Sequence, residues 1–215
     1  MIAEQIMHTN LHTISPTNTV REGLQVMREH KIRHLPVVNE RMELIGLVTE
    51  HDIKAAAPSN LLLEPNFEFN NIPLEKIMRI NPIIAHPLDF VEEIALTLFE
   101  AKIGCIPIVS GGILVGIVTT SDLLYTYIEL TGATIPGSKI EIRVRNRPGL
   151  LYEITEVFKA HNANVINVLV YAEHQSKTHS IVSVRIRIVD PTNLIEALRA
   201  EGFHVLWPNV PGITV

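Results

Sequence analysis

Leu35-Pro36-Val37-Val38, followed by Gly46-Leu47-Val48-Thr49-Glu50-His51-Asp52, decides the fold, because the pattern returns. It recurs as Ile106-Pro107-Ile108-Val109 and Gly116-Ile117-Val118-Thr119-Thr120-Ser121-Asp122. Working outward, Ile6-Met7 matches Ile77-Met78, Asn10 matches Asn81, Ser15-Pro16 matches His86-Pro87, and Lys31-Ile32 matches Lys102-Ile103, all at an offset of 71. One deleted residue then aligns the glycines. Self-similarity at a fixed spacing means one supersecondary unit used twice. Residues 6–58 and 77–130 are expected to be two half-domains that pack into one shared core.

Each half reads as strand–helix–strand–strand–helix. In the first, Thr19 and Glu22 form a capping box ahead of an apolar stripe of Val20, Leu24 and Met27. In the second, Asp89 and Glu92 take that role before Val91, Ile94, Ala95 and Leu98. Two short strands follow, and a last helix opens at Thr-x-x-Asp. Segment 58–75 carries Leu61, Leu62, Leu63, Phe67 and Phe69, too apolar for a free tether, and is expected to lie against the repeat. The chain therefore divides into 1–58, a joining segment 59–76, 77–130, a linker 131–138 and a distinct portion 139–215.

That last portion changes character. Ile140, Ile142 and Val144 alternate with Glu141, Arg143 and Arg145, as in a half-buried strand. Leu150, Leu151, Ile154, Val157 and Phe158 make a helical stripe. Strands are expected over Val165–Tyr171, along Val182, Val184, Ile186 and Ile188, and over Phe203–Trp207. A second helix starts at Asp190-Pro191-Thr192 and stops at Gly202. The order βαββαβ predicts an antiparallel sheet with both helices on one face. The whole chain is thus mixed α/β, of the α+β kind.

Composition bounds the function. The 215 residues are 47% hydrophobic and 19% charged, which suits packed cores rather than disorder. A net charge of −5 disfavours a binder of phosphate backbones. Arg143, Arg145, Arg185 and Arg187 would share the open face of the C-terminal sheet, yet the central strands offer no aromatics on which RNA bases could stack. No apolar run is long enough for a membrane span, and the N-terminus lacks a secretory pattern. Those features and the single cysteine, Cys105, point to a cytoplasmic protein, with the thiol as a small core residue. The ten histidines show no recognised metal-ligand spacing. Walker A, dinucleotide and nucleophile-elbow motifs are absent, so no enzyme is expected.

The repeated Gly-h-h-Thr-x-x-Asp (h, apolar) places a hydroxyl where strand turns into helix, beside backbone N–H groups suited to a phosphate. Three residues on, a carboxylate can accept from a vicinal diol such as a ribose. Plain helix capping explains the same residues equally well. The paired units resemble tandem CBS motifs, the Bateman module. The resemblance implies an adenosine-containing ligand (AMP, ADP, ATP or S-adenosylmethionine) in clefts between the motifs. It assigns Asp52 and Asp122 to ribose, Thr49 and Thr119 to phosphate, and backbone at Thr13 and Ile84 to adenine. Arg33 and His34 have Gly104 and Cys105 as counterparts, so the sites are expected to be unequal, with either basic residue serving phosphate in the Asp122 cleft alone.

Residues 139–208 resemble an ACT domain through Val144-Arg145-Asn146-Arg147-Pro148-Gly149-Leu150-Leu151 and Ala163-Asn164-Val165. That resemblance implies a ferredoxin-like fold, with Asn146, Gly149, Leu150 and Asn164 around a small amino acid at a dimer interface, or dimerisation alone. CBS motifs followed by an ACT domain are similar to the acetoin-utilisation AcuB family, associated with acetoin or butanediol catabolism and sporulation. The reading is a non-enzymatic sensor that binds an adenine nucleotide, signals through a homodimer and acts on an unknown protein partner. The alternatives are an assembly protein with empty clefts, or an amino-acid sensor working through the ACT domain.

Overall fold

The computed structural model describes residues 1–56, 71–174, 176 and 178–208. The chain forms two compact units, Met1–Leu124 and Tyr125–Val215, which divide inside a helix. Among the described residues, no helix is long and apolar enough to cross a membrane.

In the first unit, α1 (Val20–Glu29) precedes the hairpin β1 (His34–Val38) and β2 (Leu44–Thr49), and α2 (Glu50–Ala56) follows. The second half repeats this as β3 (Arg79–Ile80), α3 (Val91–Ala101), β4 (Cys105–Ser110), β5 (Ile113–Thr119) and α4 (Thr120–Leu130). The expected first strand of each half shrinks to a single parallel bridge, Ile14 with Val37 and Ala85 with Ile108. Thr19 caps α1 as the sequence suggests: its side chain accepts from the Glu22 N–H, and the Glu22 carboxylate accepts from the Thr19 N–H. Thr19→Ala is expected to cost about 1 kcal/mol, read from urea unfolding. The counterpart differs from expectation. Helix α3 begins after Phe90 with no side-chain cap, because Asp89 turns back to accept from the His86 N–H at 2.7 Å.

Among the described residues the two halves keep separate main cores instead of one shared core. One gathers Ile14, Val20, Met27, Leu35, Val37, Val48, Ile53 and Leu74; the other gathers Ala3, Ala85, Ile94, Leu98, Ile106, Ile108 and Val118. Leu47, Cys105 and Ile117 form a small apolar joint of their own. Each core borrows from the other repeat. Leu74 N–H donates to the Asn18 carbonyl at 2.8 Å, while Ala3 N–H donates to the Asp89 carbonyl at 2.9 Å. Strand β3 pairs with β2, and His8 pairs with Ile117 on β5. The segments leading into the two repeats have therefore changed places.

This exchange explains why Ile-Met and Gly recur together. A Cβ on Gly46 would lie 2.8 Å from the Met78 sulfur and 2.9 Å from the Arg79 carbonyl oxygen, and one on Gly116 would collide with Met7. Each methionine crosses onto the other repeat's glycine. The expected packing of Leu61, Leu62, Leu63, Phe67 and Phe69 lies outside the described residues. Next to them, Ile72 does pack on the first core.

The second unit holds an antiparallel sheet of β6 (Ser138–Arg145), β7 (Val165–Ala172), β8 (His179–Ile186) and β9 (His204–Trp207), ordered β7-β8-β6-β9. Helices α5 (Leu150–Ala160) and α6 (Thr192–Ala200) bury Ile154, Val157, Phe158, Leu194, Ile195 and Leu198 against its inner residues, Ile140, Ile142, Val144, Val182, Val184 and Ile186. This is the ferredoxin-like βαββαβ arrangement. The other face is not a bare arginine surface. Ser183 is buried, Arg143 pairs with Glu173 at 2.9 Å, and Arg185 donates to the Ile135 carbonyl.

Candidate functional site

Two clefts open between the halves of the first unit. One, of about 400 Å³, is lined by His8, Asn10, Leu11, His12, Lys31, Arg33, His34, Thr119 and Asp122 among others. The second, of about 700 Å³, is lined by Arg33, His34, Thr49, Lys54, Arg79, Asn81, Ile83, Lys102 and Gly104 among others. Both are rich in cations although the chain is acidic overall.

The Thr-x-x-Asp segments are built alike. The Thr119 N–H and hydroxyl both donate to Asp122 Oδ2, at 2.8 and 2.7 Å, and the Thr49 N–H and hydroxyl donate to Asp52 Oδ2 at 3.0 and 2.7 Å. The hydroxyl protons are thus turned to the carboxylates and not offered to a phosphate. The remaining oxygen is engaged across the repeats. Asp122 Oδ1 accepts from His8 Nε2 at 2.8 Å, and Asp52 Oδ1 accepts from Arg79 Nε and Nη2 at 2.9 and 2.8 Å. Burial pushes the Asp52 carboxyl up, but the hydrogen bonds from Thr49 and Arg79 outweigh it and hold the group below its ordinary value.

Arg33 and His34, expected to serve phosphate in the Asp122 cleft, border both clefts. His34 packs against Gly104, where a Cβ would come within 2.6 Å of its ring nitrogen and push the imidazole aside. Burial first, and the Arg33 charge second, lower the His34 pKa, which keeps the imidazole neutral near pH 7. Burial pushes the Cys105 thiol up to about 12, so it stays protonated in the apolar joint. Asn10, Leu11 and His12 wall one cleft and Asn81, Pro82 and Ile83 the other. Thr13, one residue on, lines a separate groove with Ser15, Asn18 and Glu22, and Ile84 is exposed. His8 and Arg79 were not legible as site residues. The signal was their shared place after Ile-Met, 71 residues apart.

In the second unit Gly149, at φ 83°, starts α5, and a side chain there would meet nothing within 4 Å, so the loop is open to approach. Leu150 borders a groove of about 280 Å³ with Arg143, Arg147 and Glu153. Asn146 N–H donates to the Thr178 carbonyl, while the Asn164 carbonyl accepts from the Arg187 N–H. These contacts, at Thr178 and Arg187, put the two asparagines beyond opposite ends of β8, His179–Ile186, roughly 30 Å apart at about 3.3 Å per residue. One chain does not bring them together.

A CBS domain model matches residues 3–59 and 74–129, and an ACT domain model matches 138–203. Homoserine O-acetyltransferase of Methanococcus vannielii is 31% identical over 126 residues, covering 58% of this chain and 24% of the enzyme. Inosine-5'-monophosphate dehydrogenase of Korarchaeum cryptofilum is 30% identical over 177 residues, covering 77% of this chain and 35% of the enzyme. The chain thus spans a quarter to a third of these relatives. CBS and ACT domains themselves are regulatory modules and not catalytic ones.

Among solved structures, a Vibrio cholerae protein assigned to acetoin utilization (AcuB) is 30% identical, with TM-score 0.55, covering 62% of this chain and 95% of that one. A CBS pair in complex with 5'-methylthioadenosine and S-adenosyl-L-methionine is 27% identical, with TM-score 0.51, over 59% of this chain and 95% of its own. CBSX2 in complex with AMP is 25% identical, with TM-score 0.52, over 59% and 96%. With its repeat matched over both halves by the family model, the chain belongs to the CBS domain family.

Proposed function

We propose that the repeat unit is a sensor for an adenosine-containing ligand, AMP, ADP, ATP or S-adenosylmethionine, and that the chain regulates a protein partner and is not itself an enzyme. The observation that carries this reading is Asp122. Its carboxylate is braced by two donors from Thr119 and lines a cleft of about 400 Å³ that Lys31 and Arg33 also line. An acceptor for ribose hydroxyls and cations for phosphate are what a nucleotide demands. The related CBS pairs seen with AMP and with S-adenosylmethionine support the ligand class. A role in acetoin or butanediol utilisation, with its link to sporulation, rests on the likeness to the Vibrio cholerae protein.

Signalling through a homodimer, in the cytoplasm, completes the proposal. Exposed apolar side chains on α3, Leu96 and Phe99, and along edge strand β7, Val168, Leu169, Val170 and Tyr171, support association. Asn146, Gly149, Leu150 and Asn164 would meet around a small amino acid only if two chains contribute. Ligand binding would bias the arrangement of the halves by its differential affinity for two states. Isothermal calorimetry with AMP, ADP, ATP and S-adenosylmethionine tests the reading. At least one of them is expected to bind and to raise the thermal midpoint. No heat with any of the four would leave an assembly role with unused clefts. Binding of an amino acid that Asn146→Ala abolishes and Asp122→Ala spares would move the sensing to the ACT domain.

A further inference from the structure

We propose that Arg79 closes the Asp52 cleft to a ribose, so that each chain takes one nucleoside ligand, at Asp122, instead of two. The inference rests on the adenosine-binding reading above and adds which cleft is used and why. In both repeats the threonine brace occupies Oδ2, so Oδ1 is the oxygen a ligand must use. At Asp122 that oxygen accepts one N–H, from the His8 imidazole. One acceptor direction is left, and displacing a single donor frees the second. At Asp52 the same oxygen accepts two N–H groups from one guanidinium. Arginine carries its charge at every accessible pH, and its two donors must leave together before a diol can enter.

Three further observations agree. Asp122 lines its cleft, whereas the lining of the other includes Arg79 and Thr49 but not Asp52. Arg79 is set by the strand pair β2–β3, opposite Leu47, which aims its side chain from a fixed backbone. His8 and Arg79 hold the same repeat position, so one position sets the donors on the two carboxylates apart. Arg33 and His34, shared by both, do not.

Calorimetric titration with AMP and with S-adenosylmethionine decides the matter. The wild-type chain is expected to bind one equivalent, with any second event at least roughly tenfold weaker, the factor that one hydrogen bond to a charged group carries. Arg79→Met, which keeps the aliphatic stem of a half-exposed side chain, is expected to bind two; adding Asp52→Ala is expected to return it to one. The reciprocal variant His8→Arg installs the clamp on Asp122 and is expected to weaken the wild-type site by the same factor or more. Two equal sites in the wild type, one site in a folded Arg79→Met, or unchanged affinity in His8→Arg overturns the closure while leaving the sensor reading intact. Should Arg79→Met not fold, His8→Arg decides alone. No binding by the wild type or by Arg79→Met removes the sensor reading itself.

Discussion

Leu74→Ala is expected to cost the first unit about 3–5 kcal/mol, the upper part of the range for a fully buried leucine. Leu74 is wholly buried, and its two terminal methyls lie 3.3 Å from where Gly23 would carry a Cβ. Gly23 itself has no side chain to collapse into the space. The other core inverts the sizes: the positions equivalent to Leu74 and Gly23 are Ala3 and Ile94, both buried in one cluster. Large sits on small in one half and small on large in the other. The double change Leu74→Ala with Gly23→Ile copies that solution and is expected to recover part of the loss, since it also removes a glycine from the interior of a helix. Urea unfolding followed by circular dichroism gives the magnitude. Hydrogen exchange shows where: amides of α1 and β1 are expected to exchange faster, with those of the β6–β8 sheet unchanged. A loss below about 1 kcal/mol would mean that Leu74 is not a keystone of that core.

Asp122→Ala carries the largest expected functional effect, a fall in adenosine-ligand affinity of about 100-fold or more. Two hydrogen bonds to a charged group at about 1.5–3 kcal/mol each correspond to at least that factor. The substitution also frees the Thr119 N–H and hydroxyl from their acceptor, so a small loss of stability, about 1 kcal/mol, should accompany it. Asp122→Asn separates the two effects. Its remaining carbonyl oxygen can keep the threonine brace, while the charge and one acceptor are lost. Calorimetry on the two variants beside the wild type reads both, and affinity unchanged in Asp122→Ala would place the ligand elsewhere.

Much of this was legible in the residues. The 71-residue offset, the alternation of Ile140, Ile142 and Val144, and the capping pair Thr19 and Glu22 depend on local periodicity and local hydrogen bonds. The structure repeats them with strand ends moved by a residue or two. What spacing missed depends on three-dimensional neighbours. Asp89 was read as a cap because its type suits one, yet its carboxylate had a nearer backbone donor in His86. That Arg33 and His34 border both clefts is equally invisible to pattern, because spacing does not show that Gly104 leaves room for an imidazole there.

Spacing and residue type alone were enough to write the repeat, the ferredoxin-like unit after it and the two Thr-x-x-Asp segments. Only the tertiary structure decided which half each segment serves. Residues 1–8 complete the second core and 72–80 the first, so His8 meets Asp122 and Arg79 meets Asp52. Such an exchange leaves hydrophobic periodicity untouched: Ala3 and Leu74 are buried whichever core receives them. Partner choice across the repeats is a matter of chain direction and packing volume in three dimensions, and it gives two like-built Thr-x-x-Asp segments different partners.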